Sequence, residues 1–420
     1  VDERTQALAR PAQRREAKVV DVVRRILDEV GDEGETAVAR WSEKLDGSAP
    51  RRIDLDAATV DRVRSGIDRD DLAALDFAAE NVRLFHQATR PEASAVVESQ
   101  PGVRCRRVWR PIRSAGLYAP GGTAPLFSTL LMLALPAQAA GVAERTVVTP
   151  PARDGEVHPM MLAAAAASGI DSLTLVGGAQ AVAALAFGAG VPKADKIFGP
   201  GNAYVAEAKR QAAERPGGPA IDLPAGPSEL LVIADGAADP ALVAADLLSQ
   251  AEHDADAQVL LLTTSDALIG RVAEEVERQV RLLPRETIAR AALNEASLIL
   301  VGSVEEAAAV SNLYAPEHLS LQLADPSAVL PLIEAAGTVF MGRWAAETFG
   351  DYVSGPSHVL PTDGAGRTWS GVSTAAFMTS FVVHEVTAEG AAALAPHAGR
   401  LARLEGLEAH ARAADLRGAG

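Results

Sequence analysis

Gln250 and His253 stand three residues apart in "LLSQAEHDADAQVLLL" (residues 247–262), where an apolar helix ends and a strand begins. That spacing puts both side chains on one helix face. Imidazole is the commonest protein metal ligand, and a glutamine oxygen is a weak and unusual one. The pair therefore reads either as part of a metal site or as a solvated helix end. Glu317 and His318 in "NLYAPEHLS" are adjacent, and Pro316 biases Ala315 away from helix. Histidine is the natural general base near neutral pH, and a neighbouring glutamate can activate a water. The alternative is two ordinary polar loop residues. Asp351 and His358 in "ETFGDYVSGPSHVLP" follow the last strand-like run and read equally as turn residues or as members of a site.

Other chemistries find no support. The sequence has no H-E-x-x-H, no H-x-E with P-C-x-x-C, and no G-x-S-x-G. Its single cysteine, Cys105, lies in an Arg-rich, strand-like run and reads as packed rather than nucleophilic. No G-x-G-x-x-G opens a helix. The "GG" and "GPG" turns serve either sharp corners or the backbone cradle of an anionic cofactor.

The elements that must position these residues alternate. Residues 1 to about 95 read as helical, with "AKVVDVVRRILDEVGDEG" stopped by glycine, and "VRCRRVWRPI" then alternates like a strand. From Gly116, "RTVVTPP", "SLTLVGG" and "KIFGPG" are short strands separated by helical stretches. From Ser228 the pattern restarts with "ELLVIAD", "QVLLLTT", "SLILVG", "LSLQL" and "TVFMG". Such alternation predicts parallel α/β units. The expected fold is two Rossmann-like parallel α/β domains flanking a cleft. A helical N-terminal region and a helical C-terminal tail that packs on a partner subunit complete it. The expected divisions are an arm over 1–20, a discontinuous first domain over 21–115 plus 228–370, a second domain over 116–227 carrying the cofactor loops, and a tail over 371–420. Ligands in such sheets bind beyond the carboxyl ends of the strands, so the polar loops, "SQAEHD" and "YAPEHLS" among them, are expected there.

At 420 residues, with 48% hydrophobic and 22% charged side chains, the chain can bury a large core. A net charge of −16 argues against a nucleic-acid partner. No apolar run reaches membrane-spanning length, and "VDERTQALARPAQRREAK" has no apolar signal-peptide core. With a single cysteine, the expectation is a cytoplasmic protein without membrane contact.

Seven blocks in order, "GLYAPGGTAPLFSTLLMLALPA", "VGGAQAVAALAFG", "DKIFGPGNAYVAEAKR", "IDLPAGPSELLVIAD", "DLLSQAEHD", "NLYAPEHL" and "GDYVSGPSHVLPT", closely resemble the histidinol dehydrogenase family. That resemblance implies oxidation of L-histidinol through L-histidinal to L-histidine with two NAD⁺, one zinc ion per subunit, and a homodimer whose sites are shared between subunits. It implies Gln250, His253, Asp351 and, from the tail of the other subunit, His410 as zinc ligands. His318 becomes the general base and Glu317 the water-activating group. Ser228, His358 and Glu405 contact substrate alongside the metal ligands and His318, while Tyr118, Gln180 and Asn202 contact NAD⁺. Glu405 and His410 are five residues apart and diverge on a straight helix. Either the tail bends near Gly406 or Glu405 serves another subsite, with Glu408 in reserve. Two alternatives are a paralogous zinc- and NAD-dependent dehydrogenase of another amino alcohol or a sulfonated diol, and a non-catalytic protein that keeps the metal or nucleotide site.

Overall fold

The structure, a computed structural model, describes residues 8–10, 17–121, 125–224 and 226–419. Its strands form two larger sheets and a small one. The six-stranded sheet has the order β1 (Arg51–Asp54), β6 (Ser172–Leu175), β5 (Glu144–Thr149), β4 (Ser114–Tyr118), β7 (Lys196–Phe198), β8 (Ala220–Ile221). All neighbours are parallel except the edge pair β1–β6. The five-stranded sheet is wholly parallel, in the order β11 (Ser297–Leu300), β10 (Gln258–Thr263), β9 (Glu229–Ala234), β12 (His318–Gln322), β13 (Thr338–Met341). Strands β9 and β10 are buried at every position. That explains their unbroken apolar runs, since a parallel sheet is covered on both faces. The paired α/β units expected from the sequence are present.

The membership of the first sheet differs from expectation. The helix Ala17–Glu33 sends Val23, Ile26, Leu27 and Val30 into one face of the six-stranded sheet, beside Tyr118, Val148 and Val182. Leu75, Ala78, Ala79 and Val82 of the helix Arg69–Ala88 pack with Leu117, Leu130 and Leu173 on the other face. Helices within residues 17–88 thus pack on the sheet built from 114–221, whereas the sequence division groups 21–115 with 228–370. An amphipathic stripe says that a helix is covered, not which sheet covers it.

The region beyond residue 370 is not wholly helical. β14 (Met378–Val386) pairs antiparallel with β3 (Val103–Pro111) over nine residues, and β2 (Val97–Gln100) closes the small sheet. The β-branched and aromatic run "SFVVHEV" suits a strand. The helices Ala388–Leu404 and Glu408–Gly418 then pack on each other. They are separated at Gly406, whose φ of 75° only glycine adopts without strain. The bend anticipated near Gly406 is therefore real. No helix among the described residues is long and apolar enough to cross a membrane.

Candidate active site

The candidate site lies between the carboxyl ends of the first sheet and the amino ends of the second. Tyr118 ends β4, Gln180 stands just after β6, and Asn202 follows β7. On the other side Ser228 precedes β9, His253 precedes β10 and Glu317 precedes β12. The carboxyl-end rule therefore holds for one sheet only. "SQAEHD" and "YAPEHLS" are helix-to-strand junctions and sit at the opposite end from the one expected. An open cleft of about 370 Å³ is lined by Gly199, Asp222, Ser228, Glu317, His358 and Thr362, among others.

The chain enters the Glu317–His318 junction through Ala315, the C-cap of the helix Val304–Tyr314. Ala315 is fully buried at φ 52°, a left-handed conformation costing an alanine roughly 1–2 kcal/mol. Gly337 allows the neighbouring chain to pass, because a Cβ there would lie 2.5 Å from the Glu317 carbonyl oxygen. Glu317 and His318 then gather around the backbone of one residue, Glu229. The Glu229 N–H donates to Glu317 Oε2 at 2.9 Å, and His318 Nδ1 lies 3.0 Å from the Glu229 carbonyl oxygen. A carbonyl only accepts, so Nδ1 carries the proton and Nε2 is left with a lone pair. Nε2 is buried with no partner among the described residues. Burial holds the His318 pKa below its ordinary value, so the imidazole is neutral at pH 7. Burial pushes the Glu317 carboxyl well above the usual range.

Asp351 stands between two imidazoles. Its Oδ1 lies 3.8 Å from His318 Nε2, and its Oδ2 lies 3.7 Å from His253 Nε2. Both are too long for hydrogen bonds. Two ligands of one zinc are separated by roughly 3.4 Å, close to these values. Gln250 is fully buried, and neither its Oε1 nor its Nε2 has a partner among the described residues. Each orphaned group costs about 1–3 kcal/mol, which a bound ion and its ligands would offset. The donor set therefore fits a divalent cation. His358 is held by its Nδ1–H to the Asp351 carbonyl at 2.7 Å, with Thr129 Oγ1 3.1 Å from its Nε2.

One acidic residue was not expected. Glu347 is fully buried and accepts from Ser249 Oγ at 2.6 Å, and its Oε1 lies 3.9 Å from His318 Nδ1. Burial raises its pKa well above normal. Ligand atoms of His318, Glu347 and Asp351 all fall within 4.8 Å of one another, so they form a second group able to hold a metal. The available signal was a pair of acids four apart on one helix face, 347 and 351. His410 and Glu405 are exposed on the C-terminal hairpin, and this chain does not bring them to its own cleft. Glu408 is engaged by Arg403.

On the first-sheet side, the Tyr118 hydroxyl accepts from the Gly178 N–H at 3.3 Å, and Asn202 Oδ1 caps the helix Ala203–Ala213. The helix Gly178–Phe187 starts at the same sheet edge. Two helix N-termini there suit an anionic dinucleotide. The Gln180 amide donates to Asp46 Oδ2 at 3.0 Å, while its buried Oε1 is unpartnered among the described residues. Gly199 runs so close to Tyr118 that a Cβ would lie 2.0 Å from the Tyr118 carbonyl oxygen.

Lys209 fixes this loop. Its ammonium pairs with Asp222 and donates to the Gly199 carbonyl at 2.9 Å, while Asp222 Oδ2 accepts from the Gly199 N–H at 2.7 Å. Both side chains are almost fully buried. Replacing Lys209 by Met strands a buried carboxylate, and urea denaturation is expected to show a loss of about 3–5 kcal/mol. A loss under about 1 kcal/mol would mean that the pair contributes little.

A family model for histidinol dehydrogenase matches residues 8–418. The chain is 48% identical over 415 residues to the histidinol dehydrogenase of Xanthomonas oryzae pv. oryzae, covering 99% of this chain and 96% of the relative. It is 46% identical over 411 residues to that of Aliivibrio fischeri, covering 98% and 92%. Its fold matches the crystal structure of histidinol dehydrogenase from Elizabethkingia anophelis with a TM-score of 0.95 at 41% identity, over 99% of this chain and 96% of that one.

Proposed function

The chain belongs to the histidinol dehydrogenase family of oxidoreductases, and from that premise we propose that it oxidises L-histidinol through L-histidinal to L-histidine. In this reading Gln250, His253 and Asp351 hold one zinc ion together with His410 of a second copy, and Tyr118, Gln180 and Asn202 contact NAD⁺. The observation that carries it is the Asp351 carboxylate between the His253 and His318 nitrogens, with an unpaired Gln250 amide on the adjoining helix. The exposed His410 and Glu405 fit a tail that completes the cleft of a partner, which makes the functional unit a homodimer. A biosynthetic oxidoreductase without a membrane-spanning helix among its described residues fits a cytoplasmic setting.

When bound, NAD⁺ supplies the hydride acceptor and zinc a template that orients the substrate amine and imidazole. The chain's own groups handle the protons. His318 Nε2, unprotonated and desolvated, accepts the alcohol proton as the carbinol C–H bond is lost. The Glu229 carbonyl stabilises the imidazolium through Nδ1–H. Glu317, held by the Glu229 N–H, takes a proton from the water that hydrates the aldehyde. His318 returns its Nε2 proton to the aldehyde oxygen as the water adds, and the gem-diol then gives up the substrate's second hydride with the again neutral His318 as base. No thiol is required, consistent with Cys105 lying on β3 of the small sheet. Ser228 and His358 line the cleft on the substrate side.

Metal content measured by mass spectrometry tests the ligand assignment. Asp351→Asn and His253→Ala are each expected to weaken zinc binding at least about tenfold, while Glu347→Gln retains it. If Glu347→Gln loses zinc as readily as His253→Ala, the ion belongs to the group of His318, Glu347 and Asp351 instead.

A further inference from the structure

The backbone groups that organise Glu317 and His318 are the N–H and C=O of Glu229, and the Glu229 side chain is in turn held from far away in sequence. Arg10 Nε donates to Glu229 Oε1 at 2.5 Å and Nη2 to Oε2 at 3.0 Å, a two-point fork across 219 residues. The same Nη2 donates to the Tyr314 carbonyl at 2.8 Å, and the guanidinium lies 3.9 Å from the Tyr314 ring centroid. The Tyr314 hydroxyl donates to Gln258 Oε1 at 2.6 Å, and Gln258 Nε2 returns to the Ala9 carbonyl at 3.0 Å. Leu8 packs on the core of the second sheet.

Residues 8–10 thus close a circuit over the amino ends of β9, β10 and β12, the end of the sheet that bears the catalytic pair. Glu229 is 3% exposed as a side chain and Arg10 20%. The pair is desolvated enough for a fork to set geometry rather than merely decorate a surface. The Asp363 N–H also donates to Glu229 Oε1, at 2.9 Å.

We propose that Arg10 is a positioning residue for the reaction: it anchors Glu229, and through the backbone N–H and C=O of Glu229 it sets the placement of Glu317 and His318. Arg10 touches neither catalytic side chain, so its effect passes through the backbone donor and acceptor of Glu229. A small shift of the Glu229 backbone moves both the base and the water-activating carboxylate. Misplacement of reacting groups by about 1 Å can lower rates about 100-fold.

The proposal rests on the reading of the site given above, and two measurements separate the failure of one from the failure of the other. In steady-state assays with histidinol and NAD⁺, Arg10→Ala is expected to lower kcat about 10- to 100-fold, with KM for histidinol changed less than about threefold. Arg10→Lys, which keeps the charge but not the fork, is expected to fall between the two, and millimolar guanidinium to restore part of the activity of Arg10→Ala. A wild-type kcat in Arg10→Ala, whatever its melting temperature, overturns the proposal. Should Arg10→Ala not fold, a wild-type kcat in Arg10→Lys overturns it equally. The second measurement needs no turnover. In histidine-¹⁵N spectra the His318 signal, assigned with His318→Gln, is expected to report an Nδ1-protonated ring that is altered in the Arg10 variants. An unchanged signal contradicts the proposal even if the wild-type protein proves inactive on histidinol.

Discussion

Replacing His318 by Ala is expected to lower histidinol oxidation by roughly 10²–10⁴-fold while leaving the protein folded. The expectation rests on the tautomer. Glu229 offers His318 only a carbonyl oxygen, 3.0 Å from Nδ1, so the ring presents an unprotonated Nε2. That nitrogen has no hydrogen-bond partner among the described residues and lies 3.8 Å from Asp351 Oδ1. Burial lowers the pKa of the ring, so it enters the reaction as a free base. A base kept neutral by desolvation gains the most when it takes up a proton beside a carboxylate, and Asp351 supplies that charge. The loss is expected in kcat, with both oxidation steps affected, because the same nitrogen serves each. Near-normal turnover by His318→Ala, measured as NADH formation from histidinol, would remove it as the base.

Glu317→Gln is expected to separate the two steps. The variant keeps an oxygen that can accept the Glu229 N–H, so placement is preserved while the ability to take a proton is lost. Only the second oxidation needs a water. Starting from histidinal, the rate is expected to fall about 10²–10³-fold; conversion of histidinol to histidinal should fall less than about tenfold. Burial raises the Glu317 pKa, so its carboxylate, once ionised, holds a proton more firmly than a surface glutamate does. Equal losses from the two substrates would argue that Glu317 orients His318 and activates no water.

Much of this architecture is legible in the sequence. The apolar runs of β9 and β10 announce buried parallel strands. Asp239 followed by Pro240 marks a helix start, and Asp239 does cap that helix. The concentration of Gln250 and His253 at a helix end is visible in the residue spacing alone. The direction of the cleft is not, because the end of a sheet that faces its neighbour depends on how two sheets dock. Applied to both sheets, the carboxyl-end rule misplaces the loops of the second.

Glu347 escapes notice for a related reason. An acid on a short helix reads as solvated until tertiary packing buries it beside Ser249. The Arg10–Glu229 fork spans 219 residues, and no local pattern encodes such a pairing. Strand β14 has a mostly exposed face pattern and stands beside helical segments, so its β-branched residues are easily absorbed into a helical tail. The helices of residues 17–45 show their apolar stripe clearly; the sheet that receives it is decided by the first-sheet surface around Val148 and Val182.

If this cleft performs a metal-dependent double oxidation, the stoichiometry must show it. The first measurement to make counts NADH formed per histidinol consumed, initially with the protein stripped of metal and then with zinc restored. Two NADH per histidinol, obtained only with zinc, is the predicted result. No NADH in either state, from protein shown to be folded, would contradict the double oxidation and point to another amino alcohol or diol as the substrate.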